Sequence, residues 1–374
     1  MSEAIFNIRP AQLSDVDSIA ALFESVYDGY PDQVYRNPDQ LNRMIRSTNS
    51  TDIFVIELLN GWSTLTQTAI IGTGSIHYTA NKTVAELAKA VVDPDYQGLR
   101  HPTSRQSAYQ SLLTTRIDRA YQTGAKILRT QANSSVHAIT QREHHKQGFV
   151  PVGISKGRYR EVFAGKGREH IVFMMDTAST YRPAENSDTV TLYLHPKCVP
   201  FVEHIVDSFH TSTGHALPRN ICSTISKRFD QEVDDWSFSL KTTIDRCENL
   251  SLNCNVSPSD DGIPMEAIVN KIGHLVDDFR IEFASVALDA NHPSAPIWYS
   301  KLANLGFQIE AFEPDLLRNG SIRDRLRLQR PPERTSKAQF IDPALELLDR
   351  QSIPYELPSD PEPIPVSDVT EVVL

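Results

Sequence analysis

The sequence predicts an α/β protein in which helices sandwich a β-sheet. Three observations predict it. Strand-like and helix-like runs alternate over residues 1–176. A second alternation of the same kind occupies residues 190–330. Of the 374 residues, 40% are hydrophobic and 22% charged, an ordinary globular mix that lets each half bury a core.

Ile5 to Ile8 reads as a short strand. The next helix carries Val16, Ile19, Ala20, Phe23, Val26 and Tyr27 along one face, with Ser14 as its expected N-cap. A second helix is expected over Asp39–Arg46. Two β-rich runs follow, Ile53–Leu59 and Ala69–Tyr78, close enough in sequence to pair antiparallel. A third run, Val84–Val92, breaks at Asp93-Pro94, and a helix is expected from Ser104 to Thr123, stopped by Gly124. Strand Lys126–Thr130, helix Ser135–Gln147 ending at Gly148, strand Phe149–Val152 and the apolar run Ile171–Met175 complete the first half. In the second half, Val190–Leu194, Trp236–Thr243, Leu250–Val256 and Phe283–Leu288 read as strands. One helix there presents Phe201, Ile205 and Phe209; another presents Ile268, Val269, Ile272, Leu275, Val276 and Phe279.

The polar segment 177–189 divides a first domain, 1–176, from a second, 190–330. Residues 331–374 are rich in proline and acid, which predicts an extended arm with one short helical piece around Pro343–Leu348. A net charge of −10 argues against nonspecific binding to nucleic acid or anionic membranes. The N-terminus lacks a basic start followed by an apolar run. No stretch reaches the roughly 18 apolar residues that span a bilayer. A soluble, cytoplasmic protein is expected. Cys198, Cys222, Cys247 and Cys254 match no metal-binding spacing and read as free thiols of a reducing compartment. No metal is expected.

Two segments carry a family resemblance: VAELAKAVVDPDYQG at 84–98 and ANSSVHAITQREHHKQGF at 132–149. YDGYPDQVY at 27–35 and GREHIVFMM at 167–175 add to it. Over residues 5–176 the chain resembles the GNAT superfamily of acyltransferases. The resemblance implies a mixed, mostly antiparallel sheet flanked by helices. It also implies a coenzyme A site where the strand 84–92 parts from its neighbour. Pantetheine amides would then pair with the backbone of Ala90, Val91 and Val92. The diphosphate would sit on the loop after Tyr96, where backbone N–H groups and a helix N-terminus converge. Gln97 and Gly98 match the family loop, Gln/Arg-x-x-Gly-x-Gly/Ala. The rest departs from it: Arg100 and Pro102 stand where small residues are usual, and proline offers no N–H. Two readings stay open. Either a longer loop holds the diphosphate through Arg100, Thr103, Ser104 and Arg105, or the fold serves as a scaffold without the coenzyme.

Transfer of an acyl group to an amine needs a base for the ammonium proton and an acid for the departing thiolate. The resemblance makes Glu86 the candidate base, with an outward-facing strand glutamate as the alternative. It puts His144 in the slot of a tyrosine that protonates the thiol, with an exposed helix-end histidine as the alternative. Asn133 reads as a cofactor contact or a helix cap. Tyr27, Tyr30 and Tyr35 read as walls of the acceptor pocket or as packing residues.

In the second half, Leu305-Gly306-Phe307 echoes Gln147-Gly148-Phe149, yet no diphosphate loop occurs there. It reads as a degenerate GNAT-like domain that shapes the acceptor site or forms a homodimer. The expected activity is acyl-CoA-dependent N-acylation, with acetyl-CoA or a longer acyl-CoA as donor. The acceptor would be an amine-bearing small molecule, or a lysine or ornithine side chain of a peptide or peptide natural product. A noncatalytic binding or regulatory protein is the alternative.

Overall fold

The computed structural model describes residues 5–27, 33–47, 50–59, 69–133, 138–159, 168–177, 190–213, 219–223, 236–245, 251–314, 324–332 and 341–351. The first half consists of β1 (Ile5–Pro10), α1 (Val16–Val26), α2 (Pro38–Arg46), β2 (Thr51–Leu59), β3 (Ala69–Tyr78) and β4 (Val84–Val92). α3 (Ala108–Gln122), β5 (Ile127–Asn133), α4 (Ile139–Lys146), β6 (Val150–Tyr159) and β7 (Glu169–Thr177) follow. The second half opens with β8 (Val190–Tyr193), α5 (Val199–Thr213) and β9 (Arg219–Cys222). Then come β10 (Ser237–Asp245), β11 (Ser251–Pro258), β12 (Ile263–Pro264), α6 (Met265–Asp278) and β13 (Phe283–Asp289). α7 (Ala295–Asn304), β14 (Gln308–Glu313), β15 (Arg325–Arg330) and α8 (Asp342–Arg350) close the chain.

One sheet of 13 strands runs through both halves in the order β1-β2-β3-β4-β5-β7-β6-β14-β15-β13-β11-β10-β12. β4–β5 and β11–β13 pair parallel; the other neighbours pair antiparallel. β8 and β9 form a separate parallel pair. The sheet is thus mixed and mostly antiparallel. The order β3-β4-β5-β7-β6 is mirrored by β10-β11-β13-β15-β14. In each arm a helix joins the two parallel strands, α3 in one and α6 in the other. The arms meet where β6 runs beside β14, Gly153 opposite Ala311.

Apolar side chains from the two halves share a core. Val84, Ile127, Val150 and Phe173 of the first half pack in one cluster with Phe201, Ile205 and Phe209 of α5. On the other side of the first sheet, Leu112, Leu113 and Ile117 of α3 pack on Leu87, Leu128 and Val172. Val16, Ile19 and Phe23 of α1 pack with Leu41 of α2 on Val55 and Val91.

Three expectations change. Ser14 does not cap α1. The helix enters from a tight turn at Leu13–Asp15, and the Asp15 carboxylate accepts the Gln12 N–H at 2.7 Å while pairing with Arg9 at 2.7 Å. Asp15, the residue before α1, makes no side-chain cap hydrogen bond either; its carboxylate instead closes the turn that leads into the helix. The expected helix from Ser104 begins only at Ala108, because residues 100–107 form a small hairpin of their own. Finally, the short helix expected around Pro343–Leu348 is present as α8, but it is packed rather than carried on an extended arm. Ala344, Leu347 and Leu348 of α8 lie on one face and are buried against β6 and α5. Just beyond it, Gln351 donates to the carbonyls of Ile154 and Glu310, one from each half. The polar segment 178–189 and Cys247 lie outside the described residues. Cys198 and Cys254 are buried thiols whose pKa burial raises, Cys254 to about 12.

Gly148 follows α4 with φ +96°, and Gly306 follows α7 with φ +85°. A Cβ at position 148 has room, its nearest neighbour being Asp176 at 3.5 Å, so the backbone angle alone decides the effect. Gly148→Ala is expected to lower stability by about 1–2 kcal/mol through left-handed strain. Urea unfolding of the two proteins checks it.

Candidate active site

The parallel pairing of β4 with β5 runs from Val84↔Ile127 to Leu87↔Thr130 and stops. β4 continues to Val92 on its other edge, bonded to β3. The register against β3 shifts between Thr73 and Ser75, and opposite it Lys89 adopts φ +54°. Such a bulge bends a strand away from its neighbour. The two strands part here and leave an open cleft that encloses about 890 Å³, mouth included. β4 lines it with Glu86, Ala88, Lys89 and Ala90, β5 with Gln131 and Asn133. Tyr109 and Arg116 of α3, His144 of α4 and Tyr27 after α1 complete the walls.

Glu86 shares a strand face with Val84. Its Oε1 accepts a hydrogen bond from Gln131 Nε2 at 3.1 Å. Its charge also acts on the guanidinium of Arg327, which belongs to β15 of the second half. The carboxylate therefore stands in the cleft wall, held from the β5 side.

His144 is buried, at 2% exposure. Its Nδ1 lies 2.8 Å from the Thr140 carbonyl, an acceptor, so the ring proton sits on Nδ1. Nε2 has no hydrogen-bond partner. Burial, helped by Arg116, lowers the pKa to about 4 against the opposing pull of the Thr140 carbonyl and Glu143. The expectation of a proton donor is corrected: at neutral pH the ring is neutral and its free nitrogen is an acceptor. Tyr109 also lines the cleft; burial raises the pKa of its hydroxyl, against the influence of Arg116 and Thr140 beside it.

The loop beyond Tyr96 is partly committed to itself. The N–H groups of Tyr96, Gln97 and Leu99 bond to the carbonyls of Asp93, Pro94 and Tyr96. The N–H groups of Thr103 and Ser104 turn onto His101 Nδ1, and the Arg100 guanidinium bonds the Arg105 carbonyl at 3.1 Å. His101 itself packs edge-on against Phe6 of β1, at 5.5 Å between ring centres. The longer loop is thus a docked hairpin. Thr103 and Ser104 do not point backbone donors outward, as a diphosphate contact would require. The N–H groups of Gly98, Arg100 and Tyr109 have no acceptor among the described residues. A Cβ at position 98 would meet nothing within 4 Å, so a ligand can approach this backbone closely. The last of these donors stands at the N-terminus of α3, the kind of place where helices bind anions.

Other expected residues divide between the cleft and the core. Gln97 is buried, and its Nε2 donates to the Val92 carbonyl at 3.4 Å, fastening the strand end. The side chains of Val91 and Val92 are in the core, which leaves their role to the backbone. Ala90 and Asn133 line the cleft, and Asn133 Nδ2 donates to Glu169. Tyr27 lines the cleft and stacks on Phe23 at 5.9 Å. Tyr35 is a core residue, 1% exposed, with its hydroxyl 3.4 Å from His77 Nε2. Tyr30 lies outside the described residues.

Sequence reasoning missed Tyr109 and Arg116. The signal was there in helical spacing. Tyr109, Leu112, Leu113, Arg116, Ile117 and Ala120 share the buried face of α3, and an arginine in such a row needs a reason.

Among the described residues no helix is long and apolar enough to cross a membrane, and no cluster of three or more His, Cys, Asp or Glu could hold a metal. No family model matches the chain, and no curated protein matches it either. Solved structures align with part of it. A GNAT-family acetyltransferase from Streptococcus pneumoniae is 17% identical over 46% of this chain and 99% of its own, with a TM-score of 0.36. The ribosomal-protein-S5-alanine acetyltransferase from Vibrio fischeri is 16% identical over 48% of this chain and 96% of its own, TM-score 0.37. The ribosomal-protein-S18-alanine N-acetyltransferase from Escherichia coli is 18% identical over 49% of this chain and 99% of its own, TM-score 0.36. Each of these alignments covers about half of this chain.

Proposed function

We propose that the protein is a GNAT-type N-acyltransferase that uses acetyl-CoA or a longer acyl-CoA as co-substrate and a primary amine as acceptor. The observation that supports this best is the parting of β4 from β5 beside Glu86, with unpaired backbone donors at Gly98, Arg100 and Tyr109. A pantetheine arm needs an unpaired strand edge, and a diphosphate needs convergent N–H groups. Glu86 is the base. It takes a proton from the acceptor ammonium, and the freed amine attacks the thioester carbonyl. The C–S bond breaks, and the thiolate takes up the proton that the nitrogen sheds as the amide forms. Backbone N–H groups near the Lys89 bulge stabilise the oxyanion.

A lysine or ornithine side chain of a peptide, or a polyamine-like molecule, fits a carboxylate base in an open cleft. The second half is read as a second copy of the fold, because it mirrors the strand order, and its Arg327 feels the charge of Glu86. A binding protein without turnover is the competing reading, favoured by the loop hairpin that ties up Thr103 and Ser104.

Coenzyme A is expected to raise the melting temperature. At a hundredfold excess over Kd, binding to the native state alone adds about 2.7 kcal/mol. Thermal unfolding with and without coenzyme A checks it, and no shift overturns the reading. A shift without acyl transfer to any amine tried selects the competing one.

A further inference from the structure

Arg116 differs from the other deeply placed arginines. Arg158 pairs with Glu310 at 3.0 Å, Arg168 with Glu282 at 2.7 Å and Arg327 with Glu313 at 3.0 Å. Arg116 is 1% exposed, and among the described residues no carboxylate pairs with it. Its Nη1 donates to the carbonyls of Ser75 and Ala88, at 3.4 and 3.2 Å, while Nε and Nη2 have no partner. Two more buried polar atoms of the same cleft wall lack a well-formed hydrogen bond: His144 Nε2, and the Tyr109 hydroxyl, which lies beside Arg116 and Thr140.

An uncompensated buried cation is costly, and proteins retain one where a ligand supplies the counter-charge. The backbone accommodates this one. A Cβ at position 74 would lie 3.1 Å from the guanidinium, so a glycine on β3 makes the room. We propose that this wall is a carboxylate-binding subsite, in which Arg116 and the Tyr109 hydroxyl take the carboxylate of one of the two substrates. A planar guanidinium beside a hydroxyl donor matches a carboxylate, whereas a methyl or alkyl group would leave all these atoms unsatisfied. The inference rests on the acyl-transfer reading of the cleft and deepens it. Glu86 and Glu169 also line the cleft, so the carboxylate is placed against the α3 wall and away from them. It comes either from the donor, as a dicarboxylic acyl thioester, or from the acceptor, as an amino acid.

Two matched pairs separate the sources. Succinyl-CoA and butyryl-CoA differ in a terminal carboxylate, and so do lysine and cadaverine, offered with coenzyme A present. Binding by calorimetry is expected to favour the carboxylate-bearing member of one pair by at least roughly tenfold. Arg116→Met should abolish that preference while leaving butyryl-CoA affinity unchanged. Should Arg116→Met fail to fold, having lost its bonds to Ser75 and Ala88, Tyr109→Phe should still shrink the preference several-fold. Wild-type protein that binds coenzyme A yet prefers neither carboxylate overturns the subsite and leaves the transferase reading standing. A preference that survives both substitutions overturns it equally. Failure to bind coenzyme A at all removes both.

Discussion

Glu86→Gln is expected to slow acyl transfer at neutral pH by a factor of about 100 or more while leaving acyl-CoA affinity unchanged. The size of the effect follows from the acceptor. An alkyl ammonium of pKa ~10 is deprotonated only about one part in a thousand at pH 7, so an enzyme without a base waits for that fraction. The amide in place of the carboxylate would keep the shape of the side chain and its contact to Gln131, yet it takes no proton. The sign with pH is diagnostic. The deficit should shrink as pH rises toward the acceptor's pKa, because hydroxide then does what the carboxylate did. Steady-state rates between neutral and alkaline pH test this, alongside melting curves to exclude misfolding. A rate equal to wild type at pH 7 would dismiss Glu86 as the base.

The elements of both halves were legible because apolar residues recur at strand and helix spacing. Gly148 and Gly306 marked matching helix ends, and positive φ at each explains why. The continuity of the sheet was not legible. β6 and β14 pair across more than 150 residues of chain, and a strand edge that pairs with another looks in sequence like one that does not. The tail's short helix was legible, but its docking was not. Its proline and acid content dominates, while three apolar residues on one short helix suffice to dock it. In the site, the position of Glu86 on the cleft wall was legible from its strand, while its role as base is a proposal. His144 was found, but its protonation was not, since burial and the Thr140 carbonyl set that and both are tertiary facts. Arg116 shows where a helical wheel holds more than a core prediction.

The joint between the halves carries the second large prediction. Glu313 on β14 is 6% exposed and faces Arg325 at 2.7 Å, Arg327 at 3.0 Å and Arg129, from β5 of the first half, at 3.9 Å. Burial alone would raise its pKa, but Arg327, Arg325 and Arg129 outweigh it and hold the carboxyl at about 2. A carboxylate whose folded pKa lies below its unfolded value of about 4.5 stabilises fully above the unfolded value. That stability is lost as pH falls from about 4.5 through about 2. Glu313→Gln should therefore cost about 3–5 kcal/mol at pH 7, since it strands several cations in a place chosen for their counter-ion. The difference between variant and wild type should fall below half its neutral value by about pH 3, where the wild-type group begins to protonate. Urea midpoints at the two pH values measure both effects. A loss that is the same at pH 3 and pH 7 would mean that Glu313 acts through its shape in the joint and not through its charge. Because Arg327 also feels the charge of Glu86, the same variant should disturb the cleft. A rise in KM for the acceptor without loss of coenzyme A binding would trace that disturbance to the charge that Arg327 and Glu86 share.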